Sequence, residues 1–242
     1  MRGLPKIYSK AEIYDAIYEG RGGQARQESI RLAGQIARRN GRASSLLDVA
    51  CGTGSHLEHL AGMFDRVEGL DLSEQMLEKA RKRLPSVPVH CGDMRDFTLG
   101  TTFDAVICMF SSVGYLADCD ELDSAMASFA RHLNPGGVIV VEPWWFPPYA
   151  KSGDVVADVV TVDGRTISRT SYADWIGSAH HIKVHYVLAE RGVGIRHFTD
   201  THVLRVFQRE EYEAAFTRAH CTVEYLPGDP SCPGWFIGIR TG

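Results

Sequence analysis

No stretch of this chain comes near the eighteen or so uninterrupted apolar residues that a membrane span needs, and its first residues lack the apolar core of a secretory leader. A soluble, cytoplasmic protein is the expectation. No long block of like charge stands out either: Arg38-Arg39 lies at a helix end, and the formal charge of −4 is mild. Nucleic acid and membrane surfaces are therefore disfavoured as partners. The six cysteines, Cys51, Cys91, Cys108, Cys119, Cys221 and Cys232, contain no C-x-x-C pair and read as reduced thiols. His180, His181, His185, His197 and His202 have no carboxylate or cysteine beside them at ligand spacing, so no metal is expected. A third glycine is also absent. Leu57 stands where G-x-G-x-x-G requires one, which excludes the dinucleotide fingerprint and disfavours a pyrophosphate ligand.

What is present is S-L-L-D-V-A-C-G-T-G-S, from Ser45 to Ser55. Leu46, Leu47 and Val49 make a short apolar run with Asp48 near its end, Gly52 and Gly54 allow a sharp turn, and a helical pattern starts at Ser55. That is a strand, a glycine turn and a helix. Glycine accepts positive φ and carries no Cβ, so a ligand can come close to the main chain. A second strand, Val67 to Leu70, ends at Asp71, about 20 residues past the glycines, where a carboxylate can accept both hydroxyls of a ribose. A bare turn that merely joins strand to helix explains the glycines alone; adding Asp48 and Asp71 favours a nucleoside ligand.

The 242 residues suffice for one large α/β core with an insertion. Residues 1–44 read as a helical cap. Ala11 to Tyr18 is one helix; the other, about Gln24 to Asn40, carries Ile30, Ala33 and Ala37 on the side expected to cover the sheet. Tyr8, Tyr14 and Arg21 are its candidates for closing over a ligand. From 45 to 148 strands and helices alternate as in a parallel sheet built from βαβ units. Ser73 is a plausible N-cap, Pro88 marks an edge strand, Asp93-Met94 follow that strand where a purine could meet them, and Phe103 to Phe110 is the fourth strand. Tyr115 sits at the mouth of the site. Asn134-Pro135-Gly136-Gly137 is expected to end a helix before strand five, Val138 to Val141. Trp144, Trp145 and Phe146, held between prolines, suit a ligand wall. From 149 to 207 the apolar period becomes two, predicting an antiparallel insertion with an Asp163-Gly164 turn. Residues 208–242 add a helix and a hairpin, with Gly228 to Gly234 as the connection.

Taken together, L-L-D-V-A-C-G-T-G, G-D-M-R-D-F, N-P-G-G and the acid ending strand two resemble class I S-adenosylmethionine-dependent methyltransferases. With M-F-S-S-V-G-Y-L, V-E-P-W-W-F-P and E-Y-E-A-A-F-T in order over nearly the whole chain, the sequence is similar to the N,N-dimethyltransferases of nucleotide-linked amino-deoxysugars, which make the dimethylamino sugars of macrolide and related antibiotics. The resemblance implies a Rossmann-like α/β fold with a mostly parallel seven-stranded sheet and an antiparallel β insertion. It also implies S-adenosyl-L-methionine as cofactor, S-adenosyl-L-homocysteine as product, and a dTDP-linked amino sugar as acceptor, and it leaves a homodimer open. By this resemblance Tyr14, Arg21, Asp48, Ala50, Gly52, Gly54, Asp71, Leu72, Asp93, Met94 and Met109 meet the cofactor. Tyr8, Trp145, Phe146, Arg169, Ser171, Tyr172, His185 and Ser231 meet the nucleotide-sugar, and Tyr115 and Tyr14 stand at the reacting atoms. The departures bear on the exact sugar: Tyr172 where relatives commonly have histidine, Ser231-Cys232-Pro233-Gly234 where they often have Ser-Gly-Arg-Gly, and a shorter spacing between Tyr8 and Tyr14.

Methyl transfer from a sulfonium to an amine is an in-line displacement already driven by the donor. The protein is then expected to work mainly by holding the amine at near-attack distance, with Tyr115 orienting it or accepting its proton. Two rivals keep the cofactor features: an O-methylating enzyme for another small molecule, and a non-catalytic module that binds the cofactor without consuming it.

Overall fold

Apolar runs of four to six residues punctuated by glycine, proline and acidic residues build the strands, and the longer amphipathic stretches between them build the helices. The structure is a computed structural model in which residues 5–20, 24–147, 150–229 and 232–242 are described. After a 3-10 turn, Lys6–Ser9, come α1 (Ala11–Gly20) and α2 (Ala25–Arg39). The core follows as β1 (Ser45–Val49), α3 (Ser55–Leu60), β2 (Arg66–Asp71), α4 (Glu74–Arg83), β3 (Val89–Cys91), β4 (Phe103–Cys108), a second 3-10 turn at Ser112–Tyr115, α5 (Cys119–Arg131) and β5 (Leu133–Val141). Four long strands come next: β6 (Asp154–Val162), β7 (Arg165–Ile176), β8 (Ala179–Glu190) and β9 (Gly194–Arg205). Then α6 (Arg209–Arg218), β10 (Cys221–Asp229) and β11 (Cys232–Arg240) complete the chain.

The core is a seven-stranded sheet in the order β10-β11-β5-β4-β1-β2-β3. β1 to β5 run parallel, and the β10–β11 hairpin is antiparallel against β5. Alternation along the strands feeds two apolar layers, as burial on both faces requires. On one face Leu32 and Ile36 of α2, Leu57 and Leu60 of α3 and Leu77 of α4 cover Leu46 and Ile107. On the other, Leu122, Met126 and Phe129 of α5 and Tyr212 and Phe216 of α6 cover Leu47, Val49 and Val106. Ser73 caps α4 by accepting the Met76 N–H at 3.4 Å, and Asp118 caps α5 through the Glu121 N–H at 3.0 Å.

The four long strands form a separate antiparallel meander in the order β6-β7-β8-β9. Its inner face, Val160, Ile167, Val184, Tyr186 and Leu188, packs on Ile7, Ala16 and Ile17 of the N-terminal segment. The 3-10 turn and α1 therefore share one apolar layer with the insertion, and together they are held over the carboxyl ends of the core strands as a roof.

Four expectations are corrected. The buried stripe of α2 is Ser29, Leu32 and Ile36, whereas Ile30 and Ala37 are exposed; the i, i+4 pair of large side chains sets the helix rotation, and alanines do not. β4 ends at Cys108, because Phe110 and Ser111 take positive φ. Asn134 to Gly137 lie inside β5, accommodated by an irregularity in register opposite Phe103 and Ala105. The stretch from Gly228 to Gly234 is mostly ladder, since Asp229 still pairs with Cys232.

Phe146 leaves β5 into an aromatic cluster, 5.8 Å from Tyr225, 6.5 Å from Tyr212 and 6.4 Å from Phe236 between ring centroids. All three contacts are edge-on, the favoured geometry for aromatic pairs. Truncation to Phe146→Ala is expected to cost roughly 2–4 kcal/mol of stability, seen as a lower midpoint in denaturant unfolding. A variant as stable as the parent would contradict this placement.

Candidate active site

At the carboxyl ends of β1, β2 and β4 lies a cavity of about 690 Å³, floored by the core sheet and roofed by the N-terminal segment and the meander. This is where a doubly wound sheet leaves room for a ligand. Its floor is strained: Ala50 (φ 60), Gly52 (φ 56), Phe110 (φ 52) and Ser111 (φ 56) are all left-handed. Such backbone in non-glycine residues persists only where the surroundings hold it, and it collects at functional sites.

Asp71 does much of the holding. The Gly52 N–H donates to its Oδ2 at 2.9 Å and the Ser73 N–H to its Oδ1 at 2.8 Å. Burial raises its pKa, and these N–H groups work against the rise. From the other side, the Thr53 hydroxyl donates to Asp15 at 2.5 Å, and Arg83 pairs with Asp15 at 3.0 Å. The glycine turn is thus tied to β2, α1 and α4 together. Gly54, also left-handed, does not line the cavity: its side faces Leu84 and Ala80, and its positive φ is what favours glycine there.

Asp48 is buried at the floor. Burial pushes its carboxyl up to about 7, with His56 opposing and Asp71 adding to the rise. Its Oδ2 has no hydrogen-bond partner among the described residues. A buried, unpartnered acceptor is costly and calls for a ligand that donates to it. His56 stands nearby with Nε2 3.0 Å from Glu28. Burial works against charge on His56, but the Glu28 hydrogen bond and the fields of Asp48 and Glu142 outweigh it and raise its pKa. Glu142 is itself pushed up to about 7, chiefly by burial.

Asp93 lines the cavity with its carboxylate already engaged by Arg95, whose Nε donates at 2.9 Å. That hydrogen-bonded pair holds the Asp93 pKa below the usual carboxylate range. Leu72, Met94, Met109 and Tyr14 complete this half of the wall.

The other half is aromatic and basic. Tyr8 Oη lies 2.8 Å from Tyr115 Oη, which lies 2.6 Å from His202 Nδ1. Burial raises the pKa of both phenols, so neither ionises at neutral pH. Trp144, Ile182, Tyr186 and Arg169 stand beside them. The Arg169 guanidinium is 3.5 Å from Asp158 and donates to the buried Ser171 hydroxyl at 3.3 Å.

Not every expected residue reaches the cavity. Ser171 stands behind Arg169. Tyr172 is half exposed on the opposite face of β7, and His185 is exposed on the outside of β8, 3.1 Å from His197. Strand parity is the reason: once Val184 and Tyr186 are buried, His185 must face out. Trp145 does not line the cavity, and Phe146 is in the aromatic cluster below it. Arg21 and Ser231 lie outside the described residues. Among the described residues no group of three histidine, cysteine, aspartate or glutamate side chains could hold a metal. The additions are Trp144, His56 and His202. Trp144 was one of three aromatics that spacing could not rank, and His202 was indistinguishable from the other histidines until β9 showed which face turns inward.

A methyltransferase-domain family model matches residues 46–137. The chain is 54% identical over 229 residues to the dTDP-3-amino-3,4,6-trideoxy-alpha-D-glucopyranose N,N-dimethyltransferase of Streptomyces venezuelae, covering 95% of this chain and 97% of the relative. It is 44% identical to the dTDP-4-amino-2,3,4,6-tetradeoxy-D-glucose N,N-dimethyltransferase of Saccharopolyspora spinosa, over 97% of this chain and 94% of the other. The structure superimposes with a TM-score of 0.87 on S-adenosylmethionine-bound CalS10, an amino pentose methyltransferase from Micromonospora echinaspora involved in calicheamicin biosynthesis. Identity there is 44%, over 95% of this chain and 97% of that one. With identity this high over nearly the full length of both chains, the protein belongs to the class I S-adenosylmethionine-dependent methyltransferases, in the family of amino-deoxysugar N,N-dimethyltransferases.

Proposed function

We propose that this methyltransferase dimethylates the amine of a dTDP-linked amino-deoxysugar, taking up one donor molecule for each methyl added. The observation that carries the reading is that one continuous cavity contains both the carboxylates of the glycine turn and the Arg169–Tyr115–His202 wall, so donor and acceptor share a single space. The residues fit the donor. Asp48 Oδ2 is an unpartnered acceptor for its amino group, Asp71 keeps lone pairs for ribose hydroxyls, and Asp93 and Met94 lie where the purine would sit. Ala50, Gly52, Leu72, Met109 and Tyr14 are its remaining contacts, with Arg21 as a further one outside the described residues.

Bound S-adenosylmethionine supplies a methyl group on a cationic sulfur. Much of what the protein adds is positioning. Tyr115 and Tyr8 present hydroxyls that orient the amine, the roof excludes water, and Arg169 offers a cation to the acceptor's phosphates, competing with Asp158. Holding the nitrogen at near-attack distance is worth several kcal/mol by itself, roughly 7 or more in well-ordered cases. The higher identity to the 3-amino relative favours a 3-amino sugar. We include a homodimer in the proposal. The outer face of the meander exposes Val155, Val159, Tyr172, Val187 and Ile195, apolar side chains that a second copy of the chain would cover. Among the described residues no helix is long and apolar enough to cross a membrane, which fits a cytoplasmic placement.

Incubation with the donor and either dTDP-3-amino or dTDP-4-amino deoxysugars, followed by mass spectrometry, should add two methyl masses, faster on the 3-amino compound. No mass gain on either would overturn the substrate assignment.

Donor affinity should depend on pH through Asp48. An acid with a pKa of about 7 is mostly protonated at lower pH, and that proton must leave before the carboxylate can pair with the donor's ammonium. Kd by calorimetry is therefore expected to tighten about twentyfold from pH 5.5 to 7.5. Asp48→Asn should flatten the slope, and a flat parental curve would refute the pairing.

Sedimentation should give a dimer that Val159→Glu together with Ile195→Glu converts to monomer. A parental monomer would remove this part of the proposal.

A further inference from the structure

Tyr8, Tyr115 and His202 come from the N-terminal turn, the turn after β4 and β9, and they meet in single file along the cavity wall. A phenol has one hydrogen to give and two lone pairs to accept with. In the His202 contact, the short O···N separation of 2.6 Å suits a phenol donating to an unprotonated imidazole nitrogen. The surroundings agree: burial lowers the His202 pKa, with Arg169 acting the same way and Asp200 against it. Tyr115 then receives from Tyr8 and keeps one lone pair for an N–H in the cavity. The file therefore has a direction, from the cavity toward His202.

Resting on the amine acceptor of the preceding section, we propose that His202 drains the proton of the acceptor amine through the hydroxyl of Tyr115. An alkyl amine is mostly protonated at neutral pH and then has no lone pair for displacement. The amine N–H bond breaks with its electron pair left on nitrogen, a new O–H bond forms at Tyr115, and the original Tyr115 hydrogen passes to His202 Nδ1. Tyr115 begins and ends neutral, as its buried phenol requires. The positive charge moves to the imidazolium, which returns a proton to water from Nε2, and exchange with water restores the starting tautomer. Each methyl added releases one proton, so the route serves both rounds. His202 acts through Tyr115 and is in that sense a positioning residue. The groups facing it are Tyr8, Tyr115, Asp200 and Arg169, with Asp158 paired to Arg169 and Asp200 accepting the Ile7 N–H at 2.8 Å.

The test is the rate of S-adenosylhomocysteine formation from pH 6 to 10 on a dTDP-amino sugar, for the parent, His202→Asn and Tyr115→Phe. Asparagine still accepts the Tyr115 hydrogen but cannot take the proton. Its kcat should fall on the order of a hundredfold at pH 7, with the gap narrowing as pH rises and closing once the amine is free in solution. Tyr115→Phe should trace the same curve, and the double variant should be no slower than either single one. Donor Kd should match the parent throughout. A His202→Asn curve that overlays the parent, or that lies below it by one factor at every pH, overturns the relay. If asparagine disturbs donor binding, Tyr115→Phe alone decides by the same two outcomes. A parent that methylates no amino sugar would sink the functional reading as well, whereas an active parent matched by His202→Asn sinks only the relay.

Discussion

Two backbone N–H bonds to Asp71 tie together the floor of the cavity. One comes from Gly52, in the turn after β1, and the other from Ser73, at the start of α4. A carboxylate receiving backbone N–H bonds is a charge-assisted acceptor, worth about 1.5–3 kcal/mol per bond. That is enough to keep Ala50 and Gly52 in a left-handed conformation costing about 1–3 kcal/mol each for a non-glycine residue. The cavity floor, the entry of α4 and the end of β2 are consequently fixed by one side chain. Asp71 has spent only part of its hydrogen-bonding capacity, since each oxygen has a second lone pair.

The local parts of this site were legible in the sequence because they depend on spacing along a few residues. Asp48 and Asp71 lie at the carboxyl ends of β1 and β2, and Gly52, Asp93 and Met94 lie in turns that follow strands; a strand–turn–helix unit places such residues with little help from elsewhere. The acceptor side was harder to read, because it is assembled by parity and packing over long separations. Arg169 faces the cavity and Tyr172 does not, though they are three residues apart on one strand. Alternation shows that His181 and His185 share a face but not which face turns inward. That is decided by Ile7, Ala16 and Ile17 packing on Val184 and Tyr186. Phe146 and Trp144 differ in the same way: both are aromatics between prolines, and contact with Tyr212, Tyr225 and Phe236 claims one while the cavity keeps the other.

The buried charges at the floor trade stability for binding. Asp48 and Glu142 both have pKa values raised to about 7, against ordinary values of 3.8 and 4.5. Their protonated forms favour the folded state, so this contribution is fully present below the unfolded carboxylate range and is lost as pH rises through about 7. At physiological pH the folded protein therefore carries part of the desolvation cost of two carboxylates. His56, raised and bonded to Glu28, compensates part of it from within, and the polar side chains of Trp235 and Ser111 beside Glu142 add to this. A cationic ligand seated against Asp48 would relieve that cost, so the site is primed for positive charge at the expense of the empty fold.

The same logic explains why the roof is made from distant pieces. An amine can be aimed at a methyl group only if the walls on both sides are fixed relative to each other, yet donor and acceptor must still enter and leave. Building the roof as a separate layer, with its own apolar contacts between the N-terminal segment and the meander, keeps its internal geometry independent of the sheet below. Polar contacts contribute to the junction between roof and floor. Ser73 Oγ donates to the Tyr8 carbonyl at 3.1 Å, and Tyr115 from the core meets Tyr8 and His202 from the roof. Hydrogen bonds of this kind contribute about 0.5–1.5 kcal/mol each. Asp15 of α1, buried against Thr53 and Arg83 of the core, adds an ion pair to that junction, so roof and floor are fixed to each other at Asp15 as well as along Tyr8, Tyr115 and His202.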